Sequence, residues 1–140
     1  MRFMLLVKAN EETEAGVMPT TEQLEAMGRY NEELVRAGVL LAGEGLHPSS
    51  RGARVRFDGQ DRTVIDGPFS ESNELIAGFW LIQTRSMEEA IEWVKRVPFR
   101  DGEIEIRQVF EIEDFGEAAT AGIREREARL REQTAARQRP

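Results

Sequence analysis

Two short stretches of this chain hold the residue types that acid–base chemistry uses. Asp66-Gly67-Pro68-Phe69 follows the apolar run Thr63-Val64-Ile65, so a carboxylate ends a strand and meets a tight turn. Pro68 fixes its own φ and pushes Gly67 towards an extended conformation, and Gly67 accepts backbone angles barred to larger residues. A carboxylate placed there either caps its own turn, accepting downstream backbone N–H groups, or stands at a cavity mouth as a base or ligand anchor. The second stretch is Leu40-Leu41-Ala42-Gly43-Glu44-Gly45-Leu46, followed by His47-Pro48. Glycines within a strand mark a bulge or a close backbone approach. Two of them around one acid give either a strand that bends and aims Glu44, or a sheet corner with Glu44 in solvent.

The candidate catalytic set is therefore Asp66 as base with Glu44 or His47 assisting, and Gly43, Gly45, Phe69 and Phe79 are the candidate ligand contacts. Each has a plainer reading. A histidine before a proline in a loop is more often a surface residue. Phe79, Trp80 and Trp93, at strand and helix spacing, are core by default. His47, Glu44 and Asp66 are ligand types a metal accepts, but a single histidine without a partner for its other nitrogen argues against a metal. No metal and no cofactor is expected.

Those residues must be positioned by a single domain, because 140 residues leave room for one. There is no cysteine, which excludes disulfides, thiolate metal sites and cysteine nucleophiles. No apolar run approaches the length of a membrane span, and the N-terminal Met1–Lys8 is too short in apolar residues for a convincing secretory signal. The expectation is a cytoplasmic protein with no membrane partner. A net charge of −7 argues against nucleic-acid binding, which needs a basic face. The charge is uneven: residues 117–140 carry six Arg and four Glu, a net of +2, which leaves 1–116 at −9.

Taken in order, Phe3–Val7 is apolar on both strand phases, as in a strand covered on both faces. Ala9–Met18 reads as an acidic loop ending at Pro19. Thr20 with Gln23 forms a capping box for a helix whose stripe is Leu24, Met27, Leu34 and Val35, and which stops at Gly38. Val39–Leu46 is the second strand. Residues 53–66 alternate around Asp58-Gly59 as an inserted β-hairpin. Leu75–Thr84 is the thickest apolar strand, with Gly78 marking close packing. Ser86 to Glu89 caps a second helix with the stripe Ala90, Ile91, Val94 and Val97, ended by Pro98. Glu103–Ile112 is the last strand. From Glu117 the pattern is helical with a thin apolar stripe, and disorder is expected beyond Thr134.

The order β-α-β-(hairpin)-β-α-β is the α+β, ferredoxin-like split βαβ plan with an inserted β-hairpin. Its first and third main strands are central, and those are the two that load both faces. Two helices cover one face of such a sheet. The other would expose apolar residues of both central strands, which monomers seldom do, so a homodimer is expected.

Residues 1–116 resemble the YCII-related, or DGPF-domain, family. The resemblance rests on AGVLLAGEGLHPSSRGARVRF, TVIDGPF, ELIAGFWLIQTRSMEEAIEW and GEIEIRQVFEIEDFG. It implies a dimeric α+β barrel domain at 1–116, with a charged helical tail at 117–140 outside it. Most members are bacterial proteins of unknown activity. Those that look enzymatic pair a histidine on the first helix with an aspartate on the sheet, and Met27 stands where that histidine would be. Asp66, Glu44, Glu71 and Glu74 sit in motifs of the DGPF branch, and Asn73 stands where the branch often has a lysine. The branch is often encoded beside extracytoplasmic-type sigma factors.

Two functions follow. One is a small-molecule enzyme, a lyase, isomerase or cofactor-free oxygenase working in the barrel cavity. The other is a non-catalytic ligand-binding or regulatory dimer, linked in some settings to such a sigma factor. The residues leave both open.

Overall fold

Apolar alternation on β1 (Arg2–Lys8) and β5 (Ile76–Gln83) builds the centre of the molecule. The computed structural model describes residues 1–71 and 74–138. A four-stranded antiparallel sheet has the order β2-β5-β1-β6, with β2 at Leu40–Gly45 and β6 at Ile104–Gln108. This is the ferredoxin-like order, with the first and third main strands central. Phe3 and Leu5 of β1 sit opposite Ile82 and Trp80 of β5, and all four are buried. Helices α2 (Thr21–Arg36) and α3 (Met87–Lys95) supply Tyr30, Leu34 and Ala90 to the same core, with Val39 and Val97 at its edge. The inserted hairpin pairs β3 (Ala53–Asp58) with β4 (Asp61–Asp66) as a separate two-stranded sheet.

Local chemistry sets the helix ends. Thr20 and Gln23 form the expected capping box: the Gln23 N–H donates to Thr20 Oγ1 at 3.1 Å, and the Thr20 N–H donates to Gln23 Oε1 at 2.8 Å. Gly38, at φ 71°, carries the chain out of α2 in the left-handed region that favours glycine.

The buried stripe of α2 differs from the expected one. Met27, Tyr30 and Leu34 face the core, whereas Leu24 and Val35 are 59% and 64% exposed. Successive helix residues are about 100° apart, and the narrow buried stripe centred on Leu34 leaves Val35 outside it. Ile91 of α3 is likewise exposed, beside buried Ala90. Ala9–Met18 is not wholly loop, since Glu11–Glu14 forms a one-turn helix, α1, capped by Asn10. The last strand is shorter than expected and ends at Gln108.

The chain divides into two compact units, Met1–Gln108 and Val109–Pro140. In the second, a 3-10 segment at Ile112–Ala118 turns at Gly116, where φ is 62°, and the Phe110 and Phe115 rings stack at 5.1 Å. Helix α4 (Ala121–Gln138) buries none of its residues and runs past Thr134, where disorder was expected. Alanines at 128, 135 and 136 favour helix, and Glu127 pairs with Arg131 one turn on. No helix among the described residues is long and apolar enough to cross a membrane.

The buried phenol of Tyr30 is a useful probe of this core. Its O–H donates to the Trp93 carbonyl at 2.7 Å, its ring meets Trp80 edge-on at 5.6 Å, and burial pushes its pKa up to about 12. A raised folded pKa contributes stability that is complete below the unfolded value near 10 and is lost as pH climbs towards 12. Tyr30→Phe should cost about 1 kcal/mol at pH 7 through the lost hydrogen bond. It should also remove Tyr30's share of the stability lost between pH 7 and pH 11, read from urea melts at the two pH values.

Candidate functional site

The candidate residues fall in two places. The first is the base of the hairpin, organised around Ser49. Its backbone N–H donates to Glu14 Oε1 at 3.0 Å, its hydroxyl donates to Glu14 Oε2, and the Phe69 N–H donates to Ser49 Oγ at 3.0 Å. Glu14 reaches Ser49 from α1, which Asn10 and Thr13 hold by reciprocal capping bonds of 2.9 and 2.8 Å. The Gly67 N–H donates to the Gly52 carbonyl at 3.0 Å, and the Gly52 N–H to that of Ser49 at 2.9 Å. A Cβ at Gly67 would lie 1.7 Å from the Ser49 carbonyl oxygen, so no side chain fits there. The Gly67–Pro68 peptide is cis. Phe69 is half-buried with the Arg54 guanidinium 3.8 Å above its ring, and Arg54 lies 3.9 Å from the Glu71 carboxylate.

The DGPF turn is thus a packing joint. Asp66 itself is exposed opposite Ala53, and among the described residues its side chain has no hydrogen bond or ion pair. The Asx-type turn that its position suggested is therefore not formed among the described residues. His47 is exposed, with Arg51 Nη1 at 3.4 and 3.3 Å from its two ring nitrogens, a position over the ring.

The second place is the sheet face away from the helices. Two rows cross it: Glu44, Phe79, Leu6 and Glu105; then Ala42, Leu81, Met4 and Arg107. Phe79, Leu6, Leu81 and Met4 form a half-buried apolar floor between charged edges. Glu44 reaches this face because β2 carries a bulge between Leu40 and Ala42. Strand side chains alternate, so without the extra residue Glu44 would share the helix-side face of Leu40. The bulge falls outside the glycine pair expected to make it. Gly43 serves the core instead, since a Cβ there would sit 2.8 Å from Cδ1 of Trp80, whose indole N–H donates to Asn31 Oδ1 at 2.9 Å. Gly45 lies opposite Gly78, and a Cβ at Gly78 would come 3.0 Å from the Glu44 carbonyl, the close approach expected of it.

The two carboxylates of this face differ electrostatically. Glu105 lies 3.2 Å from Lys8 and 3.2 Å from Arg107, and the Lys8 hydrogen bond, then that of Arg107, holds its carboxyl below the usual carboxylate range. Glu44 has no such cation among the described residues. The sequence placed Glu44 and Phe79 together as candidates, and they are register partners. Asp66, His47 and Phe69 belong to the hairpin base. Ser49, Glu14 and Arg54 were missed. Asn10-x-x-Thr13 was a signal for Glu14, a capping pair inside a stretch read as loop. Asn73 lies outside the described residues. Among the described residues, no three carboxylate or imidazole side chains cluster to hold a metal ion.

The profile of the YCII-related domain matches residues 1–113. The chain belongs to the YCII-related family. An uncharacterized protein of Rhizobium meliloti (strain 1021) is 36% identical to this YCII-related chain over 69 residues, 49% of the chain. The chain spans 56% of that relative's length. A solved structure of 5-chloro-2-hydroxyhydroquinone dehydrochlorinase from Burkholderia phenoliruptrix AC1100, in complex with 2,5-dihydroxybenzoquinone, is similar with a TM-score of 0.40 and 13% identity. That match covers 79% of this YCII-related chain and 95% of the dehydrochlorinase.

The packing joint separates two glycines of the YCII-related domain by their cost. Gly67→Ala should destabilise by more than about 3 kcal/mol, because backbone must move to admit the methyl. Gly45→Ala meets nothing within 4 Å and should be neutral or mildly stabilising. Denaturant midpoints of the two variants check the contrast.

Proposed function

We propose that this YCII-related protein works as a homodimer in which a second copy covers the open sheet face, closing a chamber that holds a small molecule. Glu44 is then the proton-exchanging carboxylate of a lyase, isomerase or cofactor-free oxygenase reaction. The row Glu44, Phe79, Leu6, Glu105 carries this reading. It sets an uncompensated carboxylate beside an apolar floor, next to a second carboxylate already held by two cations. Covering the floor removes water from Glu44 without giving it a cation from its own chain, which suits a carboxylate that must take a proton from carbon or oxygen. Asp66 and His47 contribute only as far as the assembled dimer brings the hairpin base to the chamber.

One observation favours the non-catalytic reading. Met27 packs against the core beside Tyr30 and Leu34, so that position of the first helix offers no acid–base group to the sheet. In this reading the same chamber binds a ligand, and the dimer acts by binding.

Native mass spectrometry of protein purified from its own host separates these outcomes. A dimer retaining a defined ligand mass, lost in Phe79→Ala, supports the chamber. Conversion of that ligand by the wild type and not by Glu44→Gln makes it an enzyme, and equal retention without conversion makes it a binding protein. Leu6→Asp should yield monomer in sedimentation velocity, and a wild-type protein that sediments as monomer removes the proposal.

A further inference from the structure

The floor of the open sheet face is chemically lopsided. Met4, Leu6 and Lys8 share one face of β1, so the apolar floor runs into a cation on a central strand. The Lys8 side chain is only 21% exposed, and its ammonium lies 3.2 Å from one oxygen of Glu105. Arg107, opposite Met4 on β6, donates from Nη1 to the other oxygen at 3.2 Å. Two cations thus share one carboxylate. Glu103, the next acid along that edge, makes no ion pair with either of them among the described residues. The contacts to Glu105 occupy one of the three N–H donors a lysine carries and one of an arginine's five. The remaining donors have no acceptor among the described residues. At the opposite edge Glu44 is a carboxylate with no cation, so donors stand on one side of the floor and a bare acceptor on the other.

The spacing between the two sides limits what fits. Glu44 and Lys8 lie two strands and two residues apart, about 12 Å between Cα atoms for spacings of roughly 4.8 and 3.4 Å. Phe79 and Leu6 occupy the interval, and side chains reaching in from both sides leave room for one ring. Closing the face strips water from the spare N–H groups of Lys8 and Arg107, and buried donors without acceptors are destabilising. An oxyanion supplies those acceptors. It also neutralises the cluster, in which two cations face one carboxylate. The planar fork of an arginine suits the two oxygens of a carboxylate. The same anion is repelled at Glu44, which fixes which way round it lies.

We propose that Lys8 and Arg107 are the anchor of the chamber and that its ligand is a small ring-bearing carboxylate. The carboxylate lies against Lys8 and Arg107, the ring lies on Phe79 and Leu6, and the end of the ring away from the carboxylate meets Glu44. The anchor selects the ligand and orients it, whether Glu44 exchanges a proton with it or the protein only holds it. This deepens the proposed function and rests on its closed chamber.

Benzoate, benzamide and acetate serve as probes, titrated into the full-length protein at pH 7 by calorimetry. Benzoate should bind about tenfold more tightly than benzamide, which has the ring without the charge. It should also outbind acetate, which has the charge without the ring. Lys8→Met and Arg107→Met should each erase the preference for benzoate over benzamide, and Lys8→Arg should keep it. Glu105→Gln removes the competing carboxylate and should tighten benzoate about tenfold, an effect that a merely structural cluster would not produce. Benzamide bound as tightly as benzoate overturns the anchor. So does a benzoate affinity that neither Arg107→Met nor Glu105→Gln changes, or a wild-type dimer that binds neither ring compound. Arg107 is exposed, so its variant keeps the test independent of whether Lys8→Met folds. A wild-type monomer that still prefers benzoate keeps the anchor and removes the chamber. A ligand-loaded dimer without that preference does the reverse.

Discussion

The antiparallel pairing of β1 with β5 is the constraint on which the rest depends. It puts Phe3, Leu5, Trp80 and Ile82 on one side and Met4, Leu6, Phe79 and Leu81 on the other. Helices α2 and α3 both cross to the first side, so the core closes there. Strand alternation permits no other outcome for the second set. Four large apolar side chains remain half-buried on a face that the two helices do not cover. Hydrophobic burial on one side thus leaves an apolar surface on the other, and that surface is the part of the sheet that gains most from excluding water.

Two local devices then decide which groups meet that surface. The bulge in β2 changes the phase of a single strand and turns Glu44 from the helix side to the open side. Ion pairing does the converse for Glu105, holding it charged between Lys8 and Arg107. Its neighbours set this state, because an opposite charge at hydrogen-bond distance favours the ionised form. Met27, packed into the core, adds no further acid–base group to this arrangement.

The DGPF turn takes its meaning from Ser49. One side chain and one carbonyl of that residue connect α1, the loop after β2 and the turn after β4. Gly67 is required there by a backbone oxygen where its Cβ would be, and Phe69 is held by an N–H bond below and a guanidinium above. In one dimension the motif allows either a self-capping turn or a carboxylate at a cavity mouth; in three its glycine and phenylalanine form a packing joint. Its acid, Asp66, is left pointing from the same face of the hairpin as Val55, Phe57 and Val64.

The sequence by itself determined the strand order, the hairpin at 53–66 and the α2 capping box, because alternation, turn residues and capping pairs act over a few residues. It also marked Glu44 and Phe79, which prove to be register partners. Only the tertiary structure decided what those residues face. The bulge at Leu40–Ala42 has no signature in the residues there, since any strand can absorb an extra residue where its partner demands it. The true face of α2 depended on Tyr30, whose ring is buried against Trp80 while Leu24 and Val35 stay in water. The Glu14–Ser49 contact joins residues 35 apart in the chain. Spacing and propensity carry information along the backbone for a turn or two. Which side chains share a joint or a face is settled only when distant strands pair.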